Sequence, residues 1–190
     1  MTATRLRILN AATDLMRENG LGALTFDAVA ARVGLTKQAV IYWFPNKAQL
    51  LASVALDCLR AEAEVAIAAA GAAPDAGAAR RAVVRALIGF HLADLPRFRL
   101  MYAAPQMGQD ASWTRDMLDR VHPLTARMYG TIAEALGGEG EAFRRQAVAL
   151  HMAALGHVLL VGLTEAVGDP LRHGPEPLAD ALADMIAGRD

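Results

Sequence analysis

The sequence has one cysteine, Cys58, and it lacks any long uninterrupted apolar run. A single cysteine excludes an intrachain disulfide, which agrees with a reducing compartment. No stretch of about 18 consecutive apolar residues is present, so no membrane span is expected. The N-terminus alternates Arg5 and Arg7 with apolar residues and lacks the apolar core of a signal peptide. We therefore expect a cytoplasmic protein that does not contact a membrane.

Aromatic residues are also scarce, at 5% of the 190 residues, although 54% of the chain is hydrophobic and alanine is abundant. Alanine is the best helix former, and no segment shows the strict apolar–polar alternation of a strand. The sequence therefore predicts an all-α protein of about nine helices. We expect them at residues 4–19, 26–33, 37–43, 47–70, 78–93, 97–105, 110–136, 141–167 and 176–188, with breaks at Gly71–Gly77 and Pro96 and a kink at Pro123.

The chain has little net charge, −1 overall, but the charge is unevenly distributed. Residues 1–50 contain six basic and three acidic residues, whereas the remainder has an acidic excess. A local basic excess is typical of segments that contact nucleic acid or a membrane, although an imbalance of this size also arises by chance.

Two short predicted helices, 26–33 and 37–43, are separated by a tight turn at Gly34. Thr25 and Thr36 are suited to cap their N-termini, and Pro45 ends the second helix. This arrangement is typical of a helix-turn-helix, in which the second helix enters the DNA major groove by its N-terminal residues. A helical corner inside any all-α core gives the same pattern, so the geometry alone does not decide the function.

The residues at the start of the second helix suit contact with DNA. Gln38 can pair with a base edge, Ala39 can touch a thymine methyl group, and Lys37 can reach a phosphate or a guanine. Hydroxyl and ammonium groups that can contact phosphates are provided by Thr25, Thr36, Tyr42 and Lys47.

Residues 24–51, LTFDAVAARVGLTKQAVIYWFPNKAQLL, resemble the DNA-binding segment of the TetR family (TetR/AcrR type) of transcriptional regulators. The most specific part is Gly34–Leu51, and the preceding helix also matches. The resemblance implies that the DNA-facing residues are Thr25, Thr36, Lys37, Gln38, Ala39, Tyr42, Trp43 and Lys47. It implies a core of Phe26, Val29, Val33, Val40 and Phe44.

One departure from the family pattern concerns Ile41 and Trp43. The family usually has two polar aromatic residues where this chain has Ile41 and Tyr42, and Ile41 cannot donate a hydrogen bond. Trp43 can either bond a phosphate through its ring N–H or pack into the core, and both roles stay open.

The resemblance also implies an architecture and a mechanism. We expect a helix-turn-helix DNA-binding domain at residues 1–46 and a helical ligand-binding and dimerisation domain at residues 47–190. The expected protein is a homodimer that binds a palindromic double-stranded operator and is released by a small, largely apolar ligand.

Residues 147–163 are apolar nearly all round, so a helix there must be buried on more than one side. A second copy of the chain could cover one side, or the helix could be the core of a monomeric bundle. The candidate residues for a dimer interface are Ala153, Gly156, Leu160, Leu163, Leu178, Leu182 and Met185.

Methionine and aromatic side chains of the C-terminal part suit an adaptable apolar pocket, although at helical spacing they also suit plain core. The pocket candidates are Phe90, His91, Phe98, Met101, Tyr102, Met107, Trp113, Met117, Met128, His151 and Met152. His151 and His157 are six residues apart and share no helix face, so neither a metal site nor a cofactor is expected.

No catalytic motif is found, so an enzyme is not expected. Two other readings stay open. One is a regulator that is controlled by a protein partner or by no ligand. The other is an all-α carrier or enzyme whose helix-turn-helix does not bind DNA.

Overall fold

The structure is a computed structural model of the chain, and it describes residues 3–103, 115–168 and 173–188. Within these ranges all regular secondary structure is helical, with no β-strand, so the predicted all-α class is confirmed. The chain divides into two compact units. Unit 1 comprises residues 1–60 and 94–121, and unit 2 comprises residues 61–93 and 122–190.

The described residues form nine α-helices, as predicted. Their bounds are α1 Ala3–Asn19, α2 Phe26–Val33, α3 Lys37–Trp43, α4 Lys47–Gly71, α5 Ala76–Leu92, α6 Leu95–Phe98, α7 Arg115–Ala135, α8 Glu141–Val167 and α9 Pro175–Ala187. A 3₁₀ turn at Leu21–Ala23 follows α1, and a π-helical turn at Arg99–Ala103 continues α6.

The core of unit 1 is built from one apolar face of each N-terminal helix. Ile8 and Ala12 of α1, Val29 of α2 and Val40 of α3 are fully buried in one cluster. Leu24, just before the cap of α2, is fully buried in the same cluster, as expected for an apolar residue that packs back onto the first turn. The helix-turn-helix is therefore held by α1 rather than by its own two helices alone.

The turn between α2 and α3 is formed as the sequence predicts. The hydroxyl of Thr25 accepts a hydrogen bond from the Ala28 N–H at 3.1 Å, and that of Thr36 accepts from the Ala39 N–H at 3.2 Å. Gly34 ends α2 with φ 67°, and the Leu35 N–H donates to the Ala30 carbonyl at 3.0 Å. These bonds satisfy groups that helix ends would otherwise leave unpaired.

In unit 2, α5 packs against both α8 and α9. The packed surface of α5 is apolar and includes the fully buried Val83, Val84 and Leu87. Outside this core, Arg81 and Arg85 of α5 form ion pairs of 2.8 Å with Asp184 and Asp180 of α9. The apolar contact supplies most of the stability, because exposed ion pairs contribute little.

Several predicted boundaries need correction. Pro96 was expected to break a helix, but it lies in the first turn of α6, where proline has no N–H bond to lose. The predicted helix 97–105 therefore begins at Leu95, because the Asp94 carboxylate caps it by accepting from the Arg97 N–H at 3.0 Å. Gly71 belongs to α4 and Gly77 to α5, which shortens the predicted linker.

Gly34 should tolerate alanine poorly, because its positive φ costs a residue with a Cβ about 1–2 kcal/mol. We expect Gly34→Ala to lower the free energy of unfolding by about that amount in urea denaturation. Gly71→Ala is the matched control, since Gly71 lies within α4 with no atom near the added methyl group. Equal stability of the two variants would show that the turn is not constrained at Gly34.

Candidate functional site

The N-terminal part of α3 is exposed on the side opposite its buried residue. Val40 is completely buried, whereas Thr36, Lys37 and Gln38 are exposed and Ala39 is half-buried. Tyr42, on the last turn of α3, is 79% exposed, which is unusual for so large a side chain. The described fold therefore exposes the residues of α3 that the sequence predicts to contact DNA.

Two further predicted contacts are also exposed in unit 1. Lys47 is exposed in the first turn of α4, where the Asn46 side chain accepts from the Gln49 N–H at 2.8 Å. The Thr25 hydroxyl accepts from a backbone N–H at the start of α2, so its own hydrogen stays available to a phosphate oxygen.

Trp43 and Ile41 are both half-buried, and the structure places Trp43 against the core of unit 1. The Trp43 ring also meets Tyr42 edge-on, with 5.5 Å between ring centroids. Of the two roles left open for Trp43, packing is the one that this placement favours.

The predicted core of the helix-turn-helix is found as expected. Val29, Val33, Val40 and Phe44 are buried, and Phe26 is half-buried against them. Sequence reasoning missed an ion pair on the exposed side, in which the Lys37 ammonium lies 2.8 Å from the Asp27 carboxylate.

Unit 2 contains a buried polar cluster of four side chains: Glu62 of α4, His91 of α5, Tyr129 of α7 and His151 of α8. The Nε2 atoms of His91 and His151 lie 2.9 and 2.8 Å from the same oxygen, Oε1 of Glu62. The Tyr129 hydroxyl lies 2.8 Å from His151 Nδ1. Glu62 is 1% exposed and His91 fully buried, so the two bonds to Glu62 are made away from water, whereas Tyr129 is half-buried.

The ionised carboxylate of Glu62 fixes which atoms donate to it. Burial by itself would raise the pKa of Glu62, but hydrogen bonds from His151 and His91 outweigh it and lower the pKa to about 2. The carboxylate can then only accept, so the Nε2 atom of each imidazole donates. Burial raises the pKa of Tyr129 to about 12, so its hydroxyl keeps its proton beside His151 Nδ1.

The sequence identified only two members of this cluster, His91 and His151, as pocket candidates. Glu62 and Tyr129 lie in helices whose pattern does not mark them as buried. A carboxylate in the apolar run of α4 is a weak signal for a buried charge, because glutamate in a helix usually faces solvent.

The structure separates the other predicted pocket residues. Met128 is buried in unit 2, and Phe90 is half-buried there. In unit 1, Met101 is buried in the N-terminal core with Tyr102 packed against it, and Phe98 and Met117 are also buried. Met107 and Trp113 lie outside the described residues. A role of these residues in ligand binding stays a prediction.

Met152 does not lie in the interior where a pocket residue was expected. It is 67% exposed, because it falls on the side of α8 opposite the buried His151-containing face. A second feature of unit 2, a groove of about 460 Å³ between α5 and α9, is lined by Arg85, Ile88 and Asp180 among others. None of the described pocket candidates lines this groove.

The outer side of α8 is a continuous apolar stripe, formed by Met152, Leu159, Leu160, Leu163 and Val167, each more than half exposed. Of the predicted dimer residues, Leu160, Leu163 and Met185 of α9 are exposed, whereas Ala153, Gly156, Leu178 and Leu182 are half-buried. Exposed apolar area of this extent is typical of an interaction surface.

By length and composition alone, α8 is also apolar enough to cross a membrane, and it is the one helix of the described ranges that meets this criterion. Its inner face, with Ala147, Ala154 and Val158, is buried within unit 2, as in the core helix of a folded domain. In the part of the chain that the structure describes, no group of three His, Cys, Asp or Glu residues is placed to hold a metal ion.

The buried cluster should make stability depend on pH. The pKa of Glu62 is lower in the folded protein than its usual value of 4.5, so its stabilising contribution is present above pH 4.5 and is lost as pH falls towards 2. We expect Glu62→Gln to lose about 1–3 kcal/mol at pH 7 and to flatten the pH dependence in this window.

Urea denaturation of both proteins between pH 2.5 and 7 checks this expectation. Glu64→Gln is the control, since Glu64 is on the same helix but exposed and paired with Arg127. If Glu62→Gln and Glu64→Gln follow the same pH curve, the buried carboxylate does not stabilise the fold in the way described.

Comparison with known proteins identifies the family of the N-terminal segment. Residues 8–54 match the family model of bacterial regulatory proteins, tetR family. This range contains α2, α3 and the first turns of α4, including every predicted DNA contact. A comparison with curated proteins finds no significant sequence match.

Solved structures match nearly the whole chain in fold. A protein of unknown function from Rhodococcus sp. RHA1 is 20% identical, with a TM-score of 0.74 and coverage of 98% of this chain and 95% of that one. A transcriptional regulator of the TetR/AcrR family from Thermobifida fusca is 22% identical, with a TM-score of 0.66 and coverages of 98% and 97%. The regulator FadR from Bacillus subtilis, solved with stearoyl-CoA, is 12% identical, with a TM-score of 0.69 and coverages of 96% and 97%.

At these identities the structural matches establish the fold, and the family model establishes the N-terminal segment. The predicted resemblance is therefore confirmed: the chain has the N-terminal domain of the tetR family of bacterial regulatory proteins and the fold of TetR/AcrR transcriptional regulators.

Proposed function

We propose that this protein is a sequence-specific DNA-binding transcriptional regulator, a dimeric repressor that a small ligand releases from its operator. The observation that carries the proposal is the exposed N-terminal part of α3. Lys37 and Gln38 are exposed there, whereas Val40 on the other side of the helix is buried in the core. A helix held in this way can enter the major groove without losing its place in the core.

In the proposed complex, Gln38 reads a base edge and Ala39 contacts a thymine methyl group. Tyr42, Lys47 and the Thr25 hydroxyl contact phosphates, which fix the position of the helix in the groove. Because Tyr42 is 79% exposed, it can reach the backbone without a rearrangement of the core.

The homodimer is proposed to form through the outer stripe of α8, together with Met185 of α9. A symmetric pair buries the same stripe on both copies, which removes the exposed Leu160 and Leu163 from water. Two α3 helices related by a two-fold axis predict a palindromic operator with half-sites about one helical turn apart or more.

The chain is proposed to have two functional domains. We propose DNA binding for residues 1–46 and ligand binding with dimerisation for residues 47–190. The FadR structure from Bacillus subtilis, with its bound stearoyl-CoA, supports a largely apolar ligand for this fold. The cluster of Glu62, His91, His151 and Tyr129 would give such a ligand domain a polar element.

Release is proposed to be a shift between populations. A ligand that binds better to the form whose α3 helices are misplaced lowers DNA affinity by the differential binding energy, typically about 1–3 kcal/mol. The continuous helix α4 begins at Lys47 in unit 1 and contributes Glu62 to unit 2, so it is the proposed link.

The closest rival is a regulator controlled by a protein partner or by no ligand. A thermal-shift screen that starts with stearoyl-CoA separates the two, because a ligand that binds the folded protein raises its melting temperature. An all-α carrier or enzyme is a further rival. Its only specific support is the buried cluster, which includes no serine, threonine or cysteine nucleophile among its four members.

Selection of bound sequences from a random duplex pool tests DNA binding directly. We expect the protein to enrich a palindrome, and Gln38→Ala to lose about 1–3 kcal/mol and to relax base preference at one position of each half-site. The physical reason is that the amide of Gln38 can bond a base edge at two points.

Arg60→Ala, on α4 of unit 1 and paired with Asp57, is the control for loss of an exposed polar side chain. Equal base discrimination by wild type and Gln38→Ala would remove Gln38 from base reading. Enrichment of no sequence by a well-folded protein would contradict the proposed function.

If the exposed stripe of α8 is the dimer interface, a charge introduced into it should prevent dimerisation. We expect Leu163→Glu to convert the protein to a monomer in sedimentation at about micromolar concentration, because two like charges would be buried against each other across the axis. Ala126→Glu, on an exposed position of α7, is the control. A dimer that survives Leu163→Glu unchanged would place the interface elsewhere.

A further inference from the structure

The basic excess of the N-terminal segment is largely used inside the protein. Arg7 donates to the Val33 carbonyl at 2.6 Å, Arg17 to the Asp94 carboxylate at 2.9 Å, and Arg32 to Glu18 at 2.8 and 2.6 Å. The Arg5 guanidinium lies 5.0 Å from the Phe44 ring centroid and donates to Ser53. These arginines support the fold, so the two lysines are the main cations left to attract DNA.

One of those two lysines is also engaged. The Lys37 ammonium lies 2.8 Å from the Asp27 carboxylate, whereas Lys47 forms no ion pair within the described residues. The Lys37 and Asp27 side chains are 47% and 69% exposed, so the pair lies on the outer surface. Asp27 belongs to the first turn of α2 and Lys37 to the first turn of α3, so the pair bridges the two helices of the helix-turn-helix.

An exposed ion pair of this kind is weak, so its effect on the free protein's stability is small. Its effect on DNA binding is larger, because a phosphate must compete with Asp27 for Lys37. If the phosphate wins, the Asp27 carboxylate is left beside a polyanion. Contact between Lys37 and the DNA backbone is therefore penalised on every sequence.

Specific and non-specific complexes depend on this lysine differently. Non-specific binding is almost entirely phosphate neutralisation, whereas operator binding also uses base contacts such as that proposed for Gln38. In the proposed complex the N-terminal end of α3 enters the major groove, so a Lys37 ammonium held at that end lies near base edges, where guanine offers two acceptors.

We propose that Asp27 is a positioning residue for specificity: it holds Lys37 towards base edges and withholds it from phosphates, which suppresses binding to non-operator DNA. This inference rests on the proposed function. On this proposal, Asp27 weakens the overall attraction of the surface for DNA but improves its discrimination between operator and non-operator DNA. Repulsive elements act in the same way in other specific interfaces.

The test compares Asp27→Asn with wild type on two duplexes of equal length, the palindrome enriched by selection and a scrambled sequence, between 50 and 300 mM salt. We expect affinity for the scrambled duplex to rise about threefold to tenfold at the lowest salt, with a smaller rise on the palindrome. The salt slope on the scrambled duplex should steepen by about 0.9 per subunit, as one more phosphate is neutralised.

Asp57→Asn is the matched control, since it removes the same charge from an exposed ion pair in the same unit. The variant with both Asp27→Asn and Lys37→Met should bind the scrambled duplex as Lys37→Met does, because the gain acts through Lys37. A gain that persists without Lys37 would show direct repulsion of phosphates instead, and would overturn the positioning role.

A second comparison does not depend on the Asp27 variant. In an otherwise unchanged protein, Lys37→Met should barely alter binding to the scrambled duplex, whereas Lys47→Met should weaken it and flatten its salt slope. Equal losses for the two lysines would overturn the inference.

The failure of this inference can be told apart from the failure of the proposed function. If the wild-type protein enriches a palindrome but Asp27→Asn behaves as Asp57→Asn, the inference is wrong and the proposed function stands. If no sequence is enriched, the proposed function itself fails.

Discussion

The burial of one side of α3 is the constraint on which the rest of the N-terminal domain depends. Val40 and Phe44 enter the core that α1 and α2 form, and the left-handed turn at Gly34 sets the direction in which α3 leaves α2. Once these residues are fixed, helical geometry requires Gln38 and Tyr42 to face outwards. The buried residues Val40 and Phe44 therefore determine which side of α3 is exposed and available for the proposed contact with DNA.

The same domain shows that basic residues do not all serve nucleic-acid binding. Arg17 and Arg32 connect elements of unit 1 through carboxylates, and Arg7 satisfies a carbonyl at the end of α2. The charge count of the segment therefore overstates its attraction for DNA. In the proposed function, discrimination between sequences gains from this arrangement, because binding through phosphates alone becomes weak while contacts with base edges keep their value.

Unit 2 combines two features that serve different proposed purposes. Its interior contains an ionised carboxylate that two imidazoles satisfy, and such a network costs free energy unless every member is bonded. Its outer side keeps the apolar stripe of α8 in contact with water, which is unfavourable in an isolated chain. The first feature suits recognition of a polar group on a ligand, and the second suits association of two chains.

The sequence by itself determined the all-α class, the helix-turn-helix with its caps at Thr25 and Thr36, and the family of the N-terminal segment. These are local properties, because caps, turns and 3.6-residue periodicity act over a few residues. Tertiary structure alone decided which polar side chains meet: Glu62 with His91 and His151, Tyr129 with His151, and Asp27 with Lys37. It also decided that Met152 faces outwards and that the half-buried Trp43 packs against the core of unit 1. Such pairings join different helices, and their distances depend on how several apolar faces pack together, which no single segment of the sequence specifies.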